Sequence, residues 1–565
     1  MSIFDIDLIR RVAAENRRKY GVANDKSVLG KVISLRPEYR NNIRELIETV
    51  KAVVSEVNQL SIDELNSIPP LDIGRPRVKH EYVLPPLPNA VMGRVFTRFA
   101  PNPDFVLHLG SLRPLIFSYE YAKMYKGRFY LRFEDTDPKT KRPEPEFYEL
   151  ILRDIEWLGI KPDKVIYQSD RLELYYDVAR ELIRKGYAYV CTCDRDTFKS
   201  YISMGRACPH REQDIEENLE LFERMLNGYF EEGEAVLRIK TDLNHPNISV
   251  RDWPALRIID TDKYPHPRKG SKYRVWPLYN FSCSIDDHYL NISHVLRGAE
   301  HRVNEVKQEY IFRYMGWDIP TYIHHGRVAI PEGILSKSKI LKGIRDGIYT
   351  GIDDPRLATI AALRRRGFTA EALYNVILKT GLSMANTTID YSMLASENKR
   401  FIDGISNRYF GVRKSRELLV EVPDTIEVSI RRHPDYPDRG FRKYTFDSGV
   451  LKLYIDIEDF DRVYHDGNRF RLISIGNFEY RDGKAIYLGN DVSWAKRNRI
   501  PFIHWVYPPK SFKALFIYPE GYREGYIEDY IGLEDVDSHI QLERLGYFKI
   551  EKMSDKYVEV IFSHR

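Results

Sequence analysis

Through the first 80 residues apolar side chains recur at helical spacing. Ile43, Leu46, Ile47, Val50, Val53, Val54 and Val57 form one stripe, with Lys, Glu and Asn on the other face. The basic run Arg17-Arg18-Lys19-Tyr20 reads as a solvated helix face. Leu84-Pro85-Pro86-Leu87-Pro88 is a stiff connector and marks a boundary. Beyond it, Val95 to Phe99 alternates as a strand. A helix is predicted from about His108 to Lys126, with Leu109, Leu112, Leu115, Ile116, Tyr119 and Ala122 at helical spacing and Gly127 as its stop. Pro114 falls early in that span, which implies a kink or a later start. Arg128–Phe133 reads as a second strand, and helices follow at about 145–158 and 171–185, each ended by a glycine. Strand–helix alternation of this kind predicts a parallel sheet with covering helices. The alternation returns at Tyr273, and a helix is predicted from Arg302 to Tyr314. After Pro423 the pattern is one of short strands, such as 425–430, 470–475 and 484–488, punctuated by Asp-Gly and Gly-Asn turns. That pattern predicts β-barrels.

Composition narrows the class without fixing it. At 565 residues, with 43% hydrophobic content, the chain has room for three to five cored domains at about 100–200 residues each. The 87 basic and 82 acidic residues nearly cancel, so any nucleic-acid surface must come from local clustering. No run reaches the ~18 apolar residues of a membrane span, and the first residues lack the pattern of a signal peptide. Three of the four cysteines lie between 191 and 208, which suits a reducing cytoplasm and a metal site. The G-x-G-x-x-G and G-x-x-x-x-G-K signatures are absent, which argues against ordinary NAD enzymes and P-loop ATPases.

Three stretches carry candidate chemistry. In Arg98-Phe99-Ala100-Pro101-Asn102-Pro103, leading to His108-Leu109-Gly110-Ser111, a strand end runs into a helix start, where free N–H groups favour anions. Cys191-Thr192-Cys193, followed after fourteen residues by Cys208-Pro209-His210, could complete a tetrahedral Zn²⁺ site; three buried thiols and a surface histidine is the bland alternative. Gly333-Ile334-Leu335-Ser336-Lys337-Ser338-Lys339, on a predicted loop, has the composition of a phosphate clamp. Asp286-Asp287-His288 reads instead as turn residues and local ion pairs, because neighbours in a strand or turn cannot all face one ion.

His108-Leu109-Gly110-Ser111 and, roughly 230 residues later, Leu335-Ser336-Lys337-Ser338 resemble the HIGH and KMSKS signatures of class I aminoacyl-tRNA synthetases. Arg98-Phe99-Ala100-Pro101 and Arg132-Phe133-Glu134-Asp135-Thr136-Asp137-Pro138 narrow the resemblance to the glutamyl/glutaminyl branch. The similarity runs on through Asp353–Arg356, Arg364–Thr369, Glu397–Arg400 and Ile503–Val506, and it points to the archaeal-type glutamyl enzymes. The chain departs from the signatures at Ser111, where many members carry a second histidine, and at Ile334, where KMSKS opens with lysine.

The resemblance implies a multidomain fold. Residues 1–84 would form a helical extension, and 85–188 and 273–345 two halves of an α/β Rossmann-like catalytic domain. An acceptor-end insertion with the zinc site would occupy 189–272, a helical stem-contact domain 346–422, and anticodon-binding β-barrels 423–565. It implies activation of glutamate by ATP, with Mg²⁺ carried on the nucleotide, then transfer to tRNA(Glu) in the cytoplasm. Charging of tRNA(Gln) is left open, and neither membrane nor DNA is involved. His108 and Lys337 would be catalytic, with Gly110, Ser111, Ser336 and Ser338 at ATP. Arg98, Glu134, Tyr279 and Arg297 would hold glutamate, and Cys191, Cys193, Cys208 and His210 zinc. Arg297 carries the choice of glutamate over glutamine, because a guanidinium grips a carboxylate through two charge-assisted bonds; pairing with Glu300 is its structural alternative. Arg364-Arg365-Arg366 would touch the inner corner of tRNA. A glutaminyl enzyme and a catalytically inactive tRNA-binding paralogue are the alternatives.

Overall fold

In a computed structural model, which describes residues 4–36, 39, 42–69, 84–331 and 336–565, the chain divides into two units, 1–83 and 84–565. The first unit packs helices Ile6–Tyr20, Asp25–Leu35, Ile43–Gln59 and Ile62–Ser67. Leu46, Val50, Val53, Val54 and Val57 face its core, as the stripe requires. Arg17 and Arg18 do not lie on a solvated face. Arg17 donates to the Val57 and Leu60 carbonyls at 2.6 and 2.8 Å, and Arg18 donates to those of Leu65 and Ile68, so both close the ends of neighbouring helices. The side chains of Lys19 and Tyr20 lie outside the described residues.

In the second unit, strands Phe96–Phe99, Arg128–Phe133 and Lys164–Tyr167 pair in parallel, with Arg128–Phe133 in the centre. A second parallel pair, His294–Gly298 with Thr321–His325, joins this sheet where the Ser293 N–H donates to the Phe96 carbonyl at 3.0 Å. The helix expected from His108 starts later. Leu109–Ser111 form one 3₁₀ turn and the α-helix runs from Leu112 to Met124, with Pro114 in its first turn, where its missing N–H is not needed. Gly127 sits where a Cβ would lie 1.8 Å from the Val95 carbonyl oxygen, so only glycine lets this strand start pass.

Between the two halves stands an antiparallel sheet of Ala188–Cys191, Val236–Ile239, Pro254–Ile258 and Val275–Pro277, covered by helices that include Ile215–Leu226. Asp286 and Asp287 are not in a turn. They lie on the helix Tyr279–Tyr289 and are 0% and 1% exposed.

After residue 405 two sheets dominate. The seven-stranded one begins at Asn407–Tyr409 and ends at Gly411–Arg413, strands separated only by Phe410, so its two edges nearly meet. The other is a six-stranded sheet built from segments between 416 and 503. Asp482 and Gly483, both at positive φ, make the tight turn between Gly476–Arg481 and Lys484–Gly489. The Arg364–Arg366 run is largely an internal joint and not an open basic patch. Arg365 pairs with Glu551, and Arg366, 5% exposed, donates to the Ser563 carbonyl at 2.9 Å; Arg364 lies 3.7 Å from Asp154.

Candidate active site

The C-terminal ends of the parallel strands open onto a cavity of about 360 Å³. Its lining includes Arg98, His108, Gly110, Glu134, Tyr279, Arg297, His301 and Arg327. Ligands in open parallel sheets bind at this end, where side chains leave the strands and a helix begins.

The His108 segment is held by its backbone. Leu109 N donates to the Ala358 carbonyl at 3.1 Å, and Ile360 N donates to that of Leu107 at 3.0 Å. Burial lowers the pKa of His108, which favours the neutral imidazole, and Nδ1 is buried without a partner among the described residues. Behind it Arg113, fully buried, donates to the carbonyls of Gly326 at 2.8 Å and Gly381 at 2.7 Å, tying the helix to the far wall of the cavity. Ser111 Oγ accepts from its own neighbourhood, the His108 N–H at 3.4 Å.

Ser336, Lys337 and Ser338 do not lie on a loop throughout. Lys337 opens the helix Lys337–Arg345, Ser336 precedes it, and the two serine hydroxyls are 3.2 Å apart. Gly333, Ile334 and Leu335 lie outside the described residues. Lys337 Nζ pairs with Asp104 at 2.7 Å, which brings the two signature stretches together. No motif in the sequence singled out Asp104.

Beside the cavity floor runs a buried chain of charge. Asp287 accepts from Arg98 Nε at 3.2 Å and from Arg132 Nη1 at 2.6 Å; Arg132 Nη2 reaches Glu134 at 3.2 Å. Burial alone would raise the Asp287 pKa, but the guanidinium groups of Arg98 and Arg132 hold it below the ordinary carboxylate range. Cys283 completes the Glu134 setting by donating its thiol at 3.0 Å, and burial pushes that thiol's pKa well up, keeping it protonated. Asp286 accepts from Arg171 at 2.6 Å and from Gln168 and Tyr175 at 2.8 Å. Asp287, Arg132 and Cys283 were missed as site residues. The available signal was Asp286-Asp287 two turns from Tyr279, once that segment is read as helical.

Arg297 is 5% exposed and does not pair with Glu300. Its Nη1 donates to Gln308 Oε1 at 2.9 Å and its guanidinium lies 4.6 Å from the Tyr322 ring centroid, while Nε and Nη2 are buried with no partner among the described residues. Those two nitrogens share one edge of the planar group, the edge that takes a carboxylate in two parallel bonds. Tyr279 stands nearby with its ring 5.7 Å from that of His301. The structure thus brings Arg98, His108, Gly110, Glu134, Tyr279 and Arg297 to one cavity, with Lys337 fastened to Asp104.

In the inserted sheet region the candidate ligand atoms of Cys191, Cys193, Cys208 and His210 all lie within 4.8 Å of one another. Cys191 and Cys208 sulfurs are 3.9 Å apart, and Cys193 Sγ is 3.3 Å from His210 Nδ1. Three sulfurs and one imidazole nitrogen at this separation fit a closed tetrahedral zinc centre with no position left for substrate.

Residues 94–403 match the family described as tRNA synthetases class I (E and Q), catalytic domain, and residues 406–491 match the anticodon-binding domain of the same group. The glutamate–tRNA ligase of Pyrococcus furiosus is 47% identical over 560 residues, covering 96% of this chain and 97% of that one. That of Pyrococcus abyssi is 48% identical over 559 residues, with 96% and 97% covered. The Thermofilum pendens enzyme of the same name is 44% identical over 565 residues, with 96% and 98% covered. With a parallel-sheet cavity and near-barrel sheets of this kind, the chain belongs to the class I tRNA synthetases of the E and Q branch.

Proposed function

We propose that the chain is a glutamate–tRNA ligase. It would activate L-glutamate with ATP and pass the acyl group to the terminal adenosine of tRNA(Glu), working in the cytoplasm. The observation that carries the choice of amino acid is the buried Nε/Nη2 edge of Arg297, without a partner among the described residues, on a side chain that lines the cavity. A side-chain carboxylate fills both positions, whereas a glutamine amide brings one acceptor and a clashing donor.

In this reading Glu134, held by Arg132 and Cys283, meets the substrate α-ammonium, and Arg98 and Tyr279 line the same pocket. The α-carboxylate attacks the α-phosphorus of ATP with pyrophosphate leaving; the tRNA hydroxyl then attacks the adenylate carbonyl and AMP leaves. Neither step needs a covalent enzyme intermediate, so the residues act by orientation and by stabilising developing charge. Neutral His108 donates a hydrogen bond to the phosphates, and Gly110 lets the nucleotide lie close to the backbone. Lys337 exchanges Asp104 for phosphate oxygens, with Ser336 and Ser338 beside it and Ser111 at the same helix start. Mg²⁺ arrives with the nucleotide as part of the substrate. Zinc held by Cys191, Cys193, Cys208 and His210 would cross-link the insertion and take no part in the chemistry.

The domain roles follow the same reading, with 85–188 and 273–345 catalytic, 189–272 at the acceptor end, the helical segment expected over 346–422 along the stem only as far as about 405, and the sheets after it, which begin before the expected 423, at the anticodon. Arg497, 70% exposed and only 3.7 Å-paired with Asp491, is available there to a phosphate. Aminoacylation of purified tRNA(Glu) and tRNA(Gln) with radiolabelled glutamate and glutamine tests the proposal. Glutamate on tRNA(Glu) is the expected product, and the tRNA(Gln) arm reads whether that acceptor is shared. Charging by glutamine alone, or by neither, overturns the proposal.

A further inference from the structure

Arg297 differs from the other arginines lining the cavity in the partner that holds it. Arg98 is paired with the carboxylate of Asp287, and Arg327 stands 3.7 Å from that of Glu300. Arg297 meets an uncharged amide, Gln308 Oε1, at 2.9 Å. Gln308 is 0% exposed and projects from the helix Arg302–Met315, which follows directly on the strand carrying Arg297. From the neighbouring strand, in register with Val295, Tyr322 places its ring against the guanidinium.

The chemistry of the two kinds of partner differs. A carboxylate at Nη1 would fix the side chain and also cancel its charge, leaving little attraction for a second anion in the same buried space. An amide oxygen fixes the same rotamer, satisfies one of the five N–H groups and leaves the positive charge intact. Because Nη1 is taken, the Nε/Nη2 edge is the one left for a ligand, the pair with no protein partner among the described residues.

We propose that Gln308 is a specificity-positioning residue, a neutral acceptor that aims the Nε/Nη2 edge of Arg297 at the side-chain carboxylate of the amino acid without neutralising it. This rests on the reading of Arg297 as the receptor for that carboxylate.

The test uses the full-length chain with tRNA present, measuring ATP–pyrophosphate exchange against glutamate, glutamine and ATP for Gln308→Glu, Gln308→Met and Arg297→Ala, each with a thermal melt. Gln308→Glu is nearly isosteric and should raise the glutamate KM about tenfold or more and lower the preference for glutamate over glutamine, with the KM for ATP unchanged. Gln308→Met, which keeps the volume and loses the acceptor, should raise the glutamate KM by about three- to tenfold. If Gln308→Glu does not fold, the methionine variant decides by the same KM criterion. A purely structural role would lower kcat for both amino acids alike, or lower the melting temperature, and leave the preference in place; that result overturns the proposal. If Arg297→Ala raises the glutamate KM while neither Gln308 variant does, this inference alone falls. If Arg297→Ala leaves the glutamate KM unchanged, the reading of Arg297 falls and this inference with it.

Discussion

Replacing Arg297 with alanine removes a buried cation whose Nε and Nη2 have no protein partner among the described residues. A hydrogen bond to a charged group contributes about 1.5–3 kcal/mol, so a substrate carboxylate held by both loses about 3–6 kcal/mol. At about 1.36 kcal/mol per tenfold, kcat/KM for glutamate should fall by roughly 10²–10⁴. The γ-carboxylate does not react, so its contact is the same before and during the chemical step, and the loss should appear chiefly in KM. Glutamate-dependent ATP–pyrophosphate exchange with tRNA present reads it, and the KM for ATP serves as the internal control. The glutamate-over-glutamine preference should shrink with the affinity. A fall of less than about fivefold refutes the reasoning, as does a parallel rise in the KM for ATP, because either would mean that Arg297 supports the fold of the site and not the substrate.

The Lys337–Asp104 pair is partly exposed, at 38% and 18% for the two side chains, so it should contribute only about 0–1 kcal/mol and yield readily to a phosphate. Lys337→Met should lower kcat by about 10²–10³ with little change in the glutamate KM, while Asp104→Asn should leave kcat within about threefold; equal losses from both in single-turnover kinetics would contradict that order. Purified protein should contain about one zinc per chain by atomic absorption, and Cys208→Ser should lose it together with part of the thermal stability. Metal-free wild-type protein with an unchanged melt would exclude the site. Asp154, 2% exposed with Arg364 at 3.7 Å, has its pKa raised to about 7, mainly by burial, with the arginine only partly opposing this. The folded state therefore holds that proton more tightly than the unfolded one, and the charge costs stability as pH rises from about 4 through about 7. Asp154→Asn should raise the melting point at pH 8, by an amount reflecting up to about 4 kcal/mol, and change it little at pH 4. The same increment at both pH values would contradict this.

Some of the site was visible as local pattern. His108-Leu109-Gly110-Ser111 announced a helix start, because an extended residue and a run of apolar positions at helical spacing are local properties. The cysteine spacing placed three thiols in one short segment. Other features were not local. Asp286 and Asp287 read as turn residues with local ion pairs because neighbours in a strand or turn cannot all face one ion; on the helix they are instead paired by Arg98, Arg132 and Arg171, which arrive from three distant segments. Arg17, Arg18, Arg365 and Arg366 read as surface or RNA-facing charge, yet their guanidinium groups are taken up by carbonyls and carboxylates on other elements.

Hydrophobic period, turn residues and motif spacing determined the order of elements, the alternation that makes a parallel sheet, and the late β region, because each depends on residues within a few positions of one another. Which charges are neutralised and which stay open was decided only by tertiary structure. Asp104 meets Lys337 across 233 positions, a separation that no local pattern encodes. Gln308, and not Glu300, reaches Arg297, because the helix after that strand turns its buried face inward and brings the amide to Nη1. The edge of Arg297 left without a partner is therefore a property of the fold, although the arginine itself was plain in the sequence.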